Sequence, residues 1–258
     1  LGSMKKLFKE IVNHPLFSGS AIMVIGSNSV NVLNYIYHLL MGRLLGPSGY
    51  GELVSLISLI GLLGIVPGSI SLAITKYVSS AKNAKEINNL VSWLKIKIFQ
   101  MSLVLFAVII ILAPGVASFL HINHLTYLIL IAVSYLFSLP SGLNRSILQG
   151  LLKFKGMVVS ILIENVIKLL ISVLLIFLGF YLFGPMLALI ISAIIGWYIT
   201  YYYLRAHFIR NPQKPPGLKG MILFAIPVMI QSISVTSLYT SDLILVKHFF
   251  SSHDAGIY

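Results

Sequence analysis

Glu164 and Lys168, two charged residues four apart in an otherwise apolar stretch, are the strongest chemical feature of this sequence. Positions i and i+4 share one face of a helix, so a carboxylate and an ammonium meet there, with Asn165 beside them. Roughly ten residues into a span, at about 1.5 Å per residue, Lys168 lies about 15 Å deep, near the middle of a bilayer. A lone charge at that depth costs roughly 2.5–3.5 kcal/mol on insertion scales, so intramembrane ionisable groups are paired and mark ion or substrate paths. Glu164 has the chemistry to take a coupling ion, H⁺ or Na⁺, and Lys168 to meet a phosphate. A structural ion pair holding two helices in register is the competing account.

A second group of polar residues is spread along residues 19–45. Ser27, Asn31, Asn34 and His38, at steps of four, three and four, fall on one stripe of a helix whose other side is Val24, Val32 and Ile36. Such a stripe turns toward protein or water, because unsatisfied polar groups are costly in lipid. It serves either interhelical hydrogen bonding or the lining of a cavity. Gln231, Ser234 and Asp242 mark a similar stripe near the end of the chain. Arg43 offers a guanidinium fork to phosphate oxygens, or snorkels to headgroups beside the turn that follows it. Pro67-Gly68 removes a backbone donor and weakens the same turn, so a bend is expected over residues 65–69. His121 and His124 have ligand-like spacing but no third ligand, so no metal or cofactor is expected. Asn144-Arg145-Ser146 matches a glycosylation sequon but falls near the basic end of its span and is set aside.

The elements that carry these residues are membrane helices. Hydrophobic residues make up 58% and charged residues 9% of the chain, against about 45–50% and 25% in soluble domains. With no cysteine, disulfide frameworks and thiolate metal sites are excluded. Residues 19–45 and 53–75 form a hairpin around Gly46-Pro47-Ser48-Gly49, where Pro lacks a donor and Gly admits turn conformations. Further spans follow at 91–119, 125–150, 158–183, 185–204 and 218–250, making seven. Leu1-Gly2-Ser3 ahead of Met4 reads as an expression scar. Residues 5–17 place Leu7, Phe8, Ile11 and Val12 on one side of a helix, as in a segment lying in the bilayer interface or as a charged leader to the first span.

Cytoplasmic loops carry the Lys and Arg excess, which orients the chain. Fifteen of the eighteen basic residues fall before span one or at the two-three, four-five and six-seven junctions, putting the N-terminus in the cytoplasm. Arg145 is counted among them, and Lys168 is left as the one cation well inside a span. The net charge of +12 is therefore a topology signal and implies no nucleic-acid partner.

An offset of 205 residues lays Ser232, Ser234, Val235, Leu238 and Gly256 over Ser27, Ser29, Val30, Leu33 and Gly51. Six spans lie between the copies, so spans one and seven cross in the same direction, as in parallel transporter repeats. The fold expected is an all-α integral membrane protein. Residues 1–18 form the scar and amphipathic segment, 19–217 a six-helix lobe, and 218–258 the first helix of a second lobe whose remainder lies beyond this chain.

The strings 42–51 (Gly-Arg-Leu-Leu-Gly-Pro-Ser-Gly-Tyr-Gly), 64–69 (Gly-Ile-Val-Pro-Gly-Ser), 242–246 (Asp-Leu-Ile-Leu-Val) and 255–258 (Ala-Gly-Ile-Tyr) together resemble polysaccharide exporters. These are the lipid-linked oligosaccharide flippases of the multidrug/oligosaccharidyl-lipid/polysaccharide exporter superfamily. The resemblance covers residues 5–258, and its motifs are loose. It implies twelve to fourteen helices in two lobes around a central cavity, bordered by helices one and seven, that rock between inward-open and outward-open states. It further implies a polyprenyl-pyrophosphate-linked oligosaccharide as substrate in the cytoplasmic membrane. A cation-coupled drug exporter of the same superfamily is the alternative, though the basic excess suits an anionic carrier better. A membrane transferase needs acidic residues for metal or base, and Glu10, Glu52, Glu86, Glu164, Asp242 and Asp254 are scattered with no acidic pair.

Orientation is checked by single cysteines in this cysteine-free chain. Lys85→Cys is expected to resist an impermeant thiol reagent added outside intact cells and to react once the membrane is opened. Labelling from outside would reverse the topology.

Overall fold

The computed structural model describes residues 15–120, 122, 124–215 and 218–257, and side chains at 15–18, 237–243 and 252 are outside the description. The expected segment at 5–17 lies almost wholly outside the described residues, as does His121. The secondary structure of the described residues is all helical, and six helices are long and apolar enough to cross a membrane. We number the helices α1 (Pro15–Leu63), α2 (Ile65–Ser79), α3 (Ala84–Phe119), α4 (Leu125–Gly150), α5 (Phe154–Leu175), α6 (Phe183–Leu204), α7 (Leu218–Phe249) and α8 (Ser252–Ile257). A π-helical turn, Ile176–Phe180, extends α5, and a 3₁₀ turn, Arg205–His207, extends α6.

The hairpin lies inside α1. Gly46 has φ 68° and ψ 175°, a region essentially closed to residues with a Cβ. The chain doubles back there, so His38 Nδ1 and the Tyr50 hydroxyl lie 3.1 Å apart; on a straight helix, twelve residues would separate them by about 18 Å. Pro47 opens the returning arm, a position where its missing donor is not needed. The Tyr181 hydroxyl donates to the Leu45 carbonyl, 3.2 Å away, supplying a partner for a helix-end acceptor. A Cβ on Gly49 would collide with that tyrosine.

The returning arm passes into α2 through Gly64. That residue keeps right-handed helical angles (φ −74°, ψ −12°), and Gly68 N–H bonds to the Gly64 carbonyl at 2.9 Å. The interruption therefore sits at Gly64, ahead of the expected 65–69. Pro67 removes the donor that the Leu63 carbonyl would use, next to the interruption at Gly64. Pro67 and Gly68 themselves lie in the first turn of a continuous helix. With α1 reversed at Gly46 and α2 continuing its second arm, the described chain makes seven passages, as expected.

Two ends are distinct. At the basic end, Asn83 caps α3 by accepting from Glu86 N–H, and Glu86 accepts in turn from Lys82 N–H, each at 2.9 Å. The segment after α6 is laced to α3 by Asn89 with Gln213 and by Ser92 with His207 and Ile209. At the other end the hairpin turn, Tyr181, His124 and Phe183 gather. Two apolar clusters, one around Leu143, Ile147 and Leu94 and one around Met41, Leu56 and Leu128, fill the two halves.

One helix boundary falls at the 205-residue spacing. α7 ends and α8 begins at Ser252, 205 positions after Pro47 opens the second arm of α1. Gly256 packs on Pro47 and Gly51 so closely that a Cβ there would overlap the Pro47 carbonyl. Gly51 and Gly256, 205 positions apart, thus meet in space.

Gly46→Ala should destabilise the protein by about 1–3 kcal/mol, the cost of a Cβ in this backbone region. Gly68→Ala faces open space and should be neutral or slightly stabilising. Melting of the two variants in detergent, relative to the parent, measures the contrast.

Candidate functional site

α4 and α5 run antiparallel from a tight turn at Leu151–Lys153, where Lys153 N–H reaches the Leu148 carbonyl at 2.8 Å and Leu152 takes a positive φ of 57°. Residues equally distant from that turn face each other, so Arg145 meets Ser160, its Nε donating to the Ser160 hydroxyl at 3.0 Å. The guanidinium extends one turn further and forms an ion pair with Glu164, the two side chains 16% and 20% exposed. Ser141 donates to the same carboxylate at 3.5 Å. α6 completes the site through Gly196, because any side chain there would overlap the Glu164 carboxylate. Below it, Asn144 donates to the Thr200 hydroxyl at 3.2 Å.

This arrangement corrects the expected pairing. Glu164 and Lys168 share a helix but form no ion pair, since Arg145 approaches from the neighbouring helix. Lys168 turns toward α1 instead, donating to Asn34 Oδ1 at 3.1 Å and Asn165 Oδ1 at 3.0 Å, with its ammonium 4.7 Å from the centre of the Tyr37 ring. Arg145 is therefore not merely a loop charge: it lies inside α4 and points into the lobe. Counting outward from the α4–α5 turn finds it in the sequence, because positions 145 and 160 are nearly equidistant from residue 152.

The stripe on α1 is divided among different tasks. Asn34 binds Lys168, and His38 joins Tyr50 across the hairpin. Asn31 and Ser27 border a groove of about 370 Å³ between α1 and α5, walled by Met157, Val158 and Ile161. The approach of these helices depends on Gly26 and Gly19, whose added Cβ atoms would strike Val158 and Phe154. Arg43 is exposed beside the turn and makes no ion pair among the described residues. Gln231 is exposed on α7, and the Asp242 side chain lies outside the described residues. Among the described residues, no group of three His, Asp or Glu is placed to hold a metal.

A multi-pass helical lobe with buried charge at mid-depth defines a class of membrane protein, and the comparisons with known proteins agree. The fold is similar to a solved structure of the MATE multidrug transporter DinF-BH, with a TM-score of 0.82 and 17% identity, covering 96% of this chain and 59% of that one. A second solved structure, named protein A, gives 0.77 and 19% over the same shares. The chain is 27% identical over 242 residues to the uncharacterized membrane protein MJ1375 of Methanocaldococcus jannaschii, covering 87% of this chain and 57% of that relative. The chain thus spans less than two thirds of the length of these proteins. Residues 16–258 match the family described as polysaccharide biosynthesis protein, and the chain belongs to that family.

A double-mutant cycle on stability distinguishes the observed pairing from the one expected from spacing. Arg145→Met with Glu164→Gln should show a coupling of about 1 kcal/mol or more, whereas Glu164→Gln with Lys168→Met should show less than about 0.5 kcal/mol. Melting or denaturant midpoints of the singles and doubles supply both numbers.

Proposed function

We propose that this chain is one lobe, plus the opening helix of the second, of a transporter that moves a lipid-linked oligosaccharide across the cytoplasmic membrane by alternating access. The single observation carrying this reading is the charge balance at mid-depth. Glu164 is neutralised by Arg145, while Lys168 is held only by amide oxygens and an aromatic face. The interior site so described is cationic, which suits an anionic pyrophosphate-linked substrate. Family membership supports the same reading. The recurrence of the α1 break at the start of α8, and the meeting of Gly51 with Gly256, support two parallel lobes with residues 218–258 opening the second. The basic end is the cytoplasmic face on this reading.

A second reading, export of a drug or small cation, is favoured by the likeness to a multidrug transporter structure. It calls for an acidic site to receive the cation. Coupling to H⁺ or Na⁺ through Glu164 would first require that carboxylate to leave Arg145, which makes the ion pair itself the candidate gate.

The full-length protein in liposomes, given fluorescent lipid-linked oligosaccharide in one assay and a cationic dye in another, tests the two readings. Oligosaccharide translocation is expected, with Lys168→Met slowing it about tenfold, the worth of one charge-assisted contact. Dye movement without oligosaccharide movement would establish the exporter reading instead.

A further inference from the structure

The outer surface of the lobe carries a groove that the transport reading does not use. α3 and α6 each pack along α4 and hardly touch one another, leaving a furrow of about 430 Å³ floored by Pro140 and Asn144 of α4. Its polarity is graded along its length. At the basic end, Lys95 places its ammonium 4.2 Å from the centre of the Phe208 ring and 5.0 Å from that of Tyr201. The only carboxylate nearby in α3 is Glu86, nine residues back and bound to the helix cap. Among the described residues Lys95 has no ion-pair partner. One and two turns deeper on the same face, Phe99 and Leu103 are 56% and 46% exposed, and across the furrow Trp197 stands one turn below Tyr201.

A cation in an aromatic collar above an apolar channel matches an amphiphile with an anionic head and a hydrocarbon tail. Cation–π contacts hold the ammonium in place but leave its charge uncompensated. Aromatic rings at this height belong to the headgroup level of a bilayer, and basic pockets between helices at that level bind acidic headgroups. We infer that the furrow between α3 and α6 is a site for one anionic glycerophospholipid of the basic-end leaflet, its phosphate on Lys95 and an acyl chain along Phe99, Leu103 and Trp197. The inference is independent of what the protein transports.

Native mass spectrometry of the full-length protein, titrated with phosphatidylglycerol and separately with phosphatidylcholine of the same acyl chains, tests it. Phosphatidylglycerol is expected to bind about fivefold tighter, the worth of one lysine near an acidic surface. Lys95→Ala should erase that preference and Lys95→Arg retain it. Lys97→Ala, on the opposite flank of α3 where Lys97 borders a different groove, should leave it unchanged. Leu103→Trp, which fills the apolar part, should weaken both lipids. If Lys95→Ala melts early, Lys95→Gln, which keeps the stem against the two rings, carries the same test. Equal binding of the two lipids, a preference surviving both Lys95→Ala and Lys95→Gln, displacement by glycerol phosphate at equal affinity, or a second copy of the chain in place of the lipid would each overturn the site.

Discussion

The Arg145–Glu164 ion pair is the constraint from which the interior of this lobe follows. A carboxylate in the middle of an apolar bundle is tolerable only when a counter-charge and hydrogen-bond donors surround it. Arg145 and Ser141 answer that requirement from α4, Ser160 of α5 accepts from Arg145 and so orients it, and α6 contributes by lacking a side chain at Gly196. One ionic contact therefore joins α4 and α5, each of which packs extensively along α6. Lys168, freed from its expected partner, is available to join α5 to α1 through Asn34. Two polar groups result, one around Glu164 between α4 and α5 and one around Lys168 between α5 and α1.

The far end of the molecule depends on backbone conformation where the interior depends on charge. Gly46 supplies a reversal closed to other residues, Gly49 leaves room for Tyr181, and Gly256 allows the short final helix to rest on the turn. These three glycines make the hairpin the meeting point of α1, the end of α5 and α8. The softer point in the same passage is Gly64, where a proline downstream removes one rung of the helix ladder.

Charge divides the lobe functionally as well. At the basic end Lys95, Lys76 and Arg205 lie over aromatic rings, while a second set of cations, deeper in the helices, is paired with Glu164 or with amides. On the proposed function, the second set meets the substrate.

How far the sequence could be read depended on the range of the interaction involved. Spans and hairpin turn were legible because hydrophobic length and a Gly-Pro turn are local properties, each set by the bilayer or by backbone sterics near one residue. A bend was expected at Pro67-Gly68; the structure shows an interruption between helices at Gly64, beside the Leu63 carbonyl that Pro67 leaves without a donor. Glu164 and Lys168 were legible as charges at mid-depth, yet their adjacency on one helix did not decide their partners. A side chain on a neighbouring helix competes at equal distance, and Arg145, counted from sequence as a loop charge, wins Glu164 because the turn at residues 151–153 folds α4 back onto α5. The sequence by itself thus determined that this is a polytopic helical membrane protein with ionisable groups inside it. Which charge neutralises which was decided only by tertiary structure, since helix pairing, rather than spacing along one helix, sets the distances over which charges act in a medium of low dielectric.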